Sequence, residues 1–226
     1  MTYSNSRHDI RVELDTMDIL AMHVLAPLST SYLPWTISAM RPSALVAVLN
    51  EIVLNGRRCI VELGAGISTW YIARLLRQVG GHLTTVEHDE RWADEVESRL
   101  AREGLSEMVS VVRAPLAPVS PGWPGEDSGW YDRGKVDEAV DGRRIDLLVV
   151  DGPPAFSADR AHARYPALPV FAPLLAEDHA IVLDDIDRTG EQEIVDVWER
   201  DFGVTFERRV MDGGIAISHS GAALNV

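Results

Sequence analysis

Between Cys59 and Leu76 the chain reads CIVELGAGISTWYIARLL, and this stretch restricts the fold more than any other. An apolar run, short enough for a buried strand, ends in an acid, Glu62. Two glycines two residues apart follow, and apolar residues then recur at helical spacing. A strand that passes into a helix through so few residues needs a sharp bend, and glycine adopts backbone conformations that other residues resist. A bend alone needs neither a second glycine nor a carboxylate in front of it.

The same alternation continues along the chain. From about residue 42, apolar runs and helical patterns take turns, which predicts an α/β fold with parallel strands joined by crossover helices, a Rossmann-like doubly wound sheet. PSALVAVLNEIVLNG is a helix with Pro42 near its start and Gly56 past its end. RCIVEL, HLTTVEHD, MVSVVRA, RIDLLVVDG and HAIVLDDID read as five strands, the fourth apolar on both faces. ERWADEVESRLAREG is a helix with Trp92, Val96 and Leu100 on one face, and EQEIVDVWERDFG is another. VTFERRVM and GIAISHS, joined through DGG, predict a terminal hairpin. Residues 1–41 form a separate N-terminal helical cap or lid segment before a ligand-binding domain over 42–226. Residues 115–144, rich in Gly, Pro, Trp and Asp, exceed an ordinary connector and read as an insertion with a short helix near KVDEAV.

With 226 residues, 46% hydrophobic and 25% charged, the chain suits one sizeable domain. Its formal net charge of -14 disfavours nucleic acid as a partner, because a polyanion is repelled. The single cysteine, Cys59, excludes an internal disulfide or a cysteine-built metal cluster, and its apolar neighbours suit an inert buried thiol. No secretory signal and no run long enough for a membrane span is visible, so a cytoplasmic protein without a membrane partner is expected. Oligomeric state is not legible, and a homo-oligomer stays open.

In a parallel sheet, ligands bind beyond the carboxyl ends of the strands. Here Glu62, Glu87, Asp151 and the pair Asp184–Asp185 all follow apolar runs at such ends. Glycines at 64 and 66 let the backbone approach a ligand closely, and Ser68 or Thr69 opens the next helix. A dinucleotide fingerprint would have a third glycine where Thr69 stands. An acid before the first glycine repels a pyrophosphate but suits an ammonium group, and Glu87 is placed for ribose hydroxyls. A cationic amino acid joined to a nucleoside, S-adenosylmethionine, fits these features.

VELGAGIS, then VEHD, LLVVDGPP and IVLDD in order, resemble the class I S-adenosylmethionine-dependent methyltransferases over most of residues 58–186. DGPPAF, RYPALPVFAPLL and IVLDDIDR further resemble a bacterial group of small-molecule methyltransferases. The resemblance implies a seven-stranded sheet of order 3-2-1-4-5-7-6. It also implies a cofactor site of Glu62, Gly64, Ala65, Gly66, Ser68, Glu87, His88, Ala114 and Asp151, with Arg113 where relatives often carry an acid near the adenine. Asp151, Asp184 and Asp185 match the acid pattern by which catechol-type O-methyltransferases bind Mg²⁺, except that Asp185 stands where relatives usually have Asn. Such an ion would make a bound hydroxyl more acidic. Equally, Asp151 serves as general base or as a loop residue, and Asp184 and Asp185 cap the next helix.

His162 is the other candidate base, against the plainer role of a surface or capping histidine; His88 and His179 rank below it. Arg164 and Tyr165 could bind an anionic or hydroxylated substrate, or RYPAL only starts a helix with Pro166 in its first turn; Trp35 and Ser38 could close over the cofactor, with core packing the equal alternative for Trp35. The resulting expectation is methyl transfer to a small-molecule acceptor, at a hydroxyl oxygen. An aminopropyltransferase-like enzyme and a non-catalytic protein that binds the same nucleoside or a partner are the alternatives.

Overall fold

A computed structural model describes residues 6–125, 129–210 and 213–224, with side chains from residue 16 onward. Helix α1 (Ser6–Leu25) passes through a 3-10 turn into an extended segment, residues 29–41, and then into α2 (Pro42–Leu54). Strand β1 (Cys59–Leu63), helix α3 (Ile67–Val79), β2 (His82–Glu87), α4 (Glu90–Arg102) and β3 (Val109–Arg113) follow in strict alternation. Next come β4 (Leu116–Ala117), β5 (Trp130–Tyr131), α5 (Arg133–Val140) and the central β6 (Ile145–Val150). The chain ends with α6 (Ala167–Phe171), β7 (Leu175–Leu183), α7 (Thr189–Phe202), β8 (Glu207–Arg209) and β9 (Ile215–His219). Among the described residues no helix is long and apolar enough to cross a membrane.

The main sheet has the order β3-β2-β1-β6-β7-β9-β8. With the small β4–β5 ribbon set aside, this is the expected order, with β9 antiparallel to both of its neighbours. Side chains alternate between two cores because successive residues of a strand point to opposite faces. Ile60, Leu147, Val149, Ala180 and Val182 join α2 and α3 on one face. Val61, Leu63, Leu148, Val150, Ile181 and Leu183 join α5, α6 and α7 on the other. The continuous apolar runs in the sequence reflect this two-sided burial.

Two details differ from the sequence reading. Strand β7 starts at Leu175, four residues before His179, because Ile145 pairs with Leu175 across an irregular register. Residues 115–144 hold the β4–β5 ribbon as well as the expected short helix. Their two tryptophans pack inward. Trp123 stacks on His162 at 3.7 Å and meets Tyr165 edge-on, and fully buried Trp130 lies edge-on to Phe171. Residues 211 and 212 of the expected hairpin turn lie outside the described residues.

The N-terminal segment is fastened at both ends. At one end Arg74, buried under it, donates to the Leu28 carbonyl and Ser31 Oγ at 2.8 Å each, while Ser29 Oγ and Tyr71 Oη lie 2.7 Å apart. At the other, Met40 is buried and Arg41 donates to Asp18 at 2.8 Å. Asp18 also accepts from Ser43 N and Oγ, at 3.2 and 2.7 Å. It thereby caps α2, whose own N-cap residue Arg41 supplies no side-chain acceptor. Burial raises the Asp18 carboxyl, but Ser43 and Arg41 outweigh it and leave the group below its ordinary value. The folded state therefore gains from Asp18 above the ordinary carboxylate range and loses that gain as pH falls through the lowered folded value. Asp18→Ala is expected to cost about 1–2 kcal/mol. Hydrogen exchange should then quicken along α1 near Asp18 and at the start of α2.

Candidate functional site

Strand register brings four tips level. Gly64 N–H donates to the Val86 carbonyl at 2.9 Å, and Asp151 and Asp184 N–H groups donate to Leu63 and Val150 carbonyls at 3.0 Å. A cavity of about 430 Å³ opens at these tips. Gly64, Ala65, Gly66, Ser68, Glu87, His88, Asp151 and Asp184 line it, with Asp185, Arg164 and Arg188 at the β7 side. Ser38, Met40 and Ile37 of the N-terminal segment also line it, and exposed Ile37 and Phe156 give it an apolar rim. This is within the size range of small-molecule sites.

The glycines differ in role. Gly64 has φ +94, and a Cβ there would stand 2.9 Å from the Asp151 carbonyl oxygen, so the crossing of two loops dictates glycine. Gly66 is extended at φ -163, and the nearest atom to a built Cβ is Ser68 Oγ at 3.9 Å. Protein packing makes no such demand at Gly66, whose free space faces the cavity. The loop is held by Trp92, whose Nε1–H donates to the Ala65 carbonyl at 2.7 Å, and by Thr69, whose Oγ1 accepts from Gly66 N–H at 3.0 Å.

Glu62 lies beneath this loop, away from the cavity. It shares a face with Ile60, on the side that carries α3, and it accepts from Ser68 Oγ, Thr69 Oγ1 and Thr85 Oγ1 at 2.6, 2.6 and 2.7 Å. Burial lifts its carboxyl above the ordinary range, against the pull of those hydroxyls. Its place is that of a brace for the start of α3. Glu87 does face the cavity. Its Oε1 accepts from the His88 and Asp89 amides at 2.7 Å, and its Oε2 accepts from Ala65 N–H at 3.2 Å. His88 Nδ1 lies 2.9 Å from the same Oε1. Ala114 is fully buried and outside the lining, and Arg113 is paired with Glu97 and Asp94.

At the other side, Arg164 is only 3% exposed and sits among the acids. Its guanidinium donates to the Asp151, Pro153 and Asp184 carbonyls at 3.1, 3.3 and 3.1 Å. It also lies 3.3 Å from Asp151 Oδ1 and 2.9 Å from Asp185 Oδ2. Arg188 pairs with Asp185 at 2.9 Å as well. Arg164 is thus an internal counter-charge to the acids at the cavity wall. Asp151 and Asp184 are hydrogen-bonded to each other. Burial first, and then the neighbouring carboxylates, push Asp151 well above the usual range and Asp184 up to about 7. Neither Asp184 nor Asp185 caps α7, whose N-cap, Arg188, has no side-chain capping bond.

His162 is not among the lining residues. Its ring stacks on Trp123, and its Nε2 lies 2.5 Å from Glu193 Oε2, so it joins the insertion to α7. Tyr165 meets Trp123 and its carbonyl accepts from Trp198, and Trp35 lies edge-on to Tyr71. Sequence reasoning missed Tyr131 and Gly152, which both line the cavity, and gave Trp92 only a packing role. Tyr131 lies in a segment without periodicity, where no pattern signals a buried aromatic.

A family described as a methyltransferase domain matches residues 61–186. Over 84 residues, 37% of this chain, the sequence is 32% identical to protein-L-isoaspartate O-methyltransferase 1 of Rhodopseudomonas palustris, and the match spans only 32% of that protein. A Staphylococcus aureus structure, assigned as a caffeoyl-CoA O-methyltransferase, aligns with TM-score 0.64 and 16% identity, covering 93% of this chain and 100% of the other. An O-methyltransferase of tomaymycin synthesis from Streptomyces achromogenes, solved with S-adenosylmethionine, aligns with TM-score 0.55 and 17% identity over 91% of this chain and 90% of its own. At such identities the structural likeness concerns the fold.

Proposed function

The chain belongs to this family of methyltransferase domains and has its class I fold, and from that premise we propose that it transfers a methyl group from S-adenosylmethionine to a hydroxyl oxygen of a small molecule. The observation that carries the reading is the convergence, in one cavity, of the open space at Gly66, the Glu87 carboxylate and the hydrogen-bonded Asp151–Asp184 pair. The methionine part would lie against the glycine loop, and Glu87 would accept from the ribose hydroxyls. The acceptor would enter between Ile37 and Phe156, whose exposed apolar side chains suit an apolar or aromatic body. Its hydroxyl oxygen attacks the methyl carbon, the carbon–sulfur bond breaks, and S-adenosylhomocysteine leaves. The hydroxyl proton passes to the carboxylate pair, whose raised proton affinity suits a base working near neutral pH.

The divalent ion that the acid pattern suggests does not fit this arrangement. Asp151, Asp184 and Asp185 do offer oxygens within 4.8 Å of one another. Two of the three already face the Arg164 guanidinium, which is itself anchored to three carbonyls, and burial raises the proton affinity of the third, Asp184. A hard cation would have to share these carboxylates with a like charge, the buried guanidinium that lies 3.3 and 2.9 Å from two of them.

Calorimetry with S-adenosylhomocysteine should show one site per chain, and a panel of phenolic and sugar acceptors should show methyl transfer that survives exhaustive chelation. No heat with this nucleoside would remove the reading. Turnover that stops in chelator and returns with Mg²⁺ would restore the metal. Methylation confined to isoaspartyl peptides would move the acceptor to the chemistry of the Rhodopseudomonas palustris relative.

A further inference from the structure

Tyr131 is the most conspicuous polar group that the mechanism leaves unused. It comes from the insertion, on β5, and is 1% exposed, yet it lines the cavity. Its hydroxyl oxygen is buried and, among the described residues, has no hydrogen-bond partner. The surroundings fix it tightly. A Cβ on Gly152 would collide with this oxygen, and the Tyr131 ring meets Trp130 and His88 edge-on at 5.4 and 6.4 Å between centroids. Burial, reinforced by the negative charge of Glu87, keeps the phenol protonated far above its ordinary value. A buried hydroxyl without a partner loses its hydration and gains nothing in return, and such groups in native proteins generally serve a ligand or a trapped water.

We infer that the Tyr131 hydroxyl is a cofactor-binding group, which donates a hydrogen bond to a sugar oxygen of the bound nucleoside beside Glu87. The inference rests on the proposed cofactor, and it gives the insertion a direct part in binding. Glu87 can only accept, so it takes hydroxyl protons, whereas a neutral phenol fixed by its neighbours donates to an oxygen lone pair. The pair would read the two hydrogen-bonding faces of the ribose.

The test is Tyr131→Phe, which removes one oxygen and keeps the ring. Loss of an unpartnered hydroxyl leaves the unliganded protein equally stable or more so, while binding loses one hydrogen bond. The expected result is an unchanged or raised melting temperature without ligand, with affinity for S-adenosylhomocysteine about tenfold weaker by calorimetry. Adenosine, which carries the sugar but not the amino acid, should weaken by a similar factor. Equal affinity of parent and variant would overturn the inference. So would a lower melting temperature of the free variant, since it would show that the hydroxyl is already satisfied. A loss for S-adenosylhomocysteine with none for adenosine would overturn the sugar contact. If the parent itself binds neither compound, the proposed function falls and this inference falls with it.

Discussion

Gly66→Val is expected to leave the protein folded, with a melting temperature within about 2 °C of the parent, and to weaken S-adenosylhomocysteine at least about a hundredfold. The residue is extended and the nearest atom to an added Cβ is 3.9 Å away, so the side chain starts into open space. It fills ligand space, and loss of shape in a preformed pocket is severe. Gly64→Val should do the reverse. Its φ of +94 is costly for a branched side chain, and its Cβ would press on the Asp151 carbonyl at 2.9 Å. The sum is roughly 3 kcal/mol or more of lost stability. Circular dichroism melts and calorimetry on the two variants separate the roles. Tight binding by a folded Gly66→Val protein would place the ligand somewhere else.

Arg164→Met should be the most destabilising single change in the site. The methionine keeps most of the volume but removes the cation that now lies 3.3, 2.9 and 3.7 Å from Asp151, Asp185 and Glu191, and leaves Arg188 alone beside the last two. Breaking a buried ion pair in this way costs about 3–5 kcal/mol, or a fall in melting temperature on the order of 10 °C for a chain of this size. The same change vacates the space among the carboxylates. Mn²⁺ is therefore expected to raise the melting temperature of the variant and not that of the parent, by linkage to a newly opened site. A parent that is stabilised by Mn²⁺ as strongly as the variant would show that the guanidinium does not close the cluster.

How much of this was legible depended on periodicity. The strand, glycine bend and helix over residues 59–79 were readable because a short apolar run gives way to a 3.6-residue period at a fixed point. The tips at Glu87, Asp151 and Asp184 followed, since apolar runs end where strands leave the core. The orientation of Glu62 was also in the sequence, though obscured by its place in the motif. Alternation along β1 puts it with Ile60 on the side of α3, where the hydroxyls of Ser68 and Thr69 meet it. Tyr131 and Arg164 were harder. One lies in a ribbon of two-residue strands, and the other lies in a loop whose charge partners are more than twelve residues distant in sequence. Only tertiary folding brings such groups together, and no local pattern records it.

The fastening of residues 29–41 at Leu28–Ser31 and again at Met40–Arg41 has a consequence for traffic through the cavity. A ribbon pinned at both ends can arch but cannot swing. Any movement of this wall of the cavity is then confined to its middle, near the exposed Ile37. Each catalytic cycle can thus renew its contents while the two anchorages, and the core behind them, stay shut.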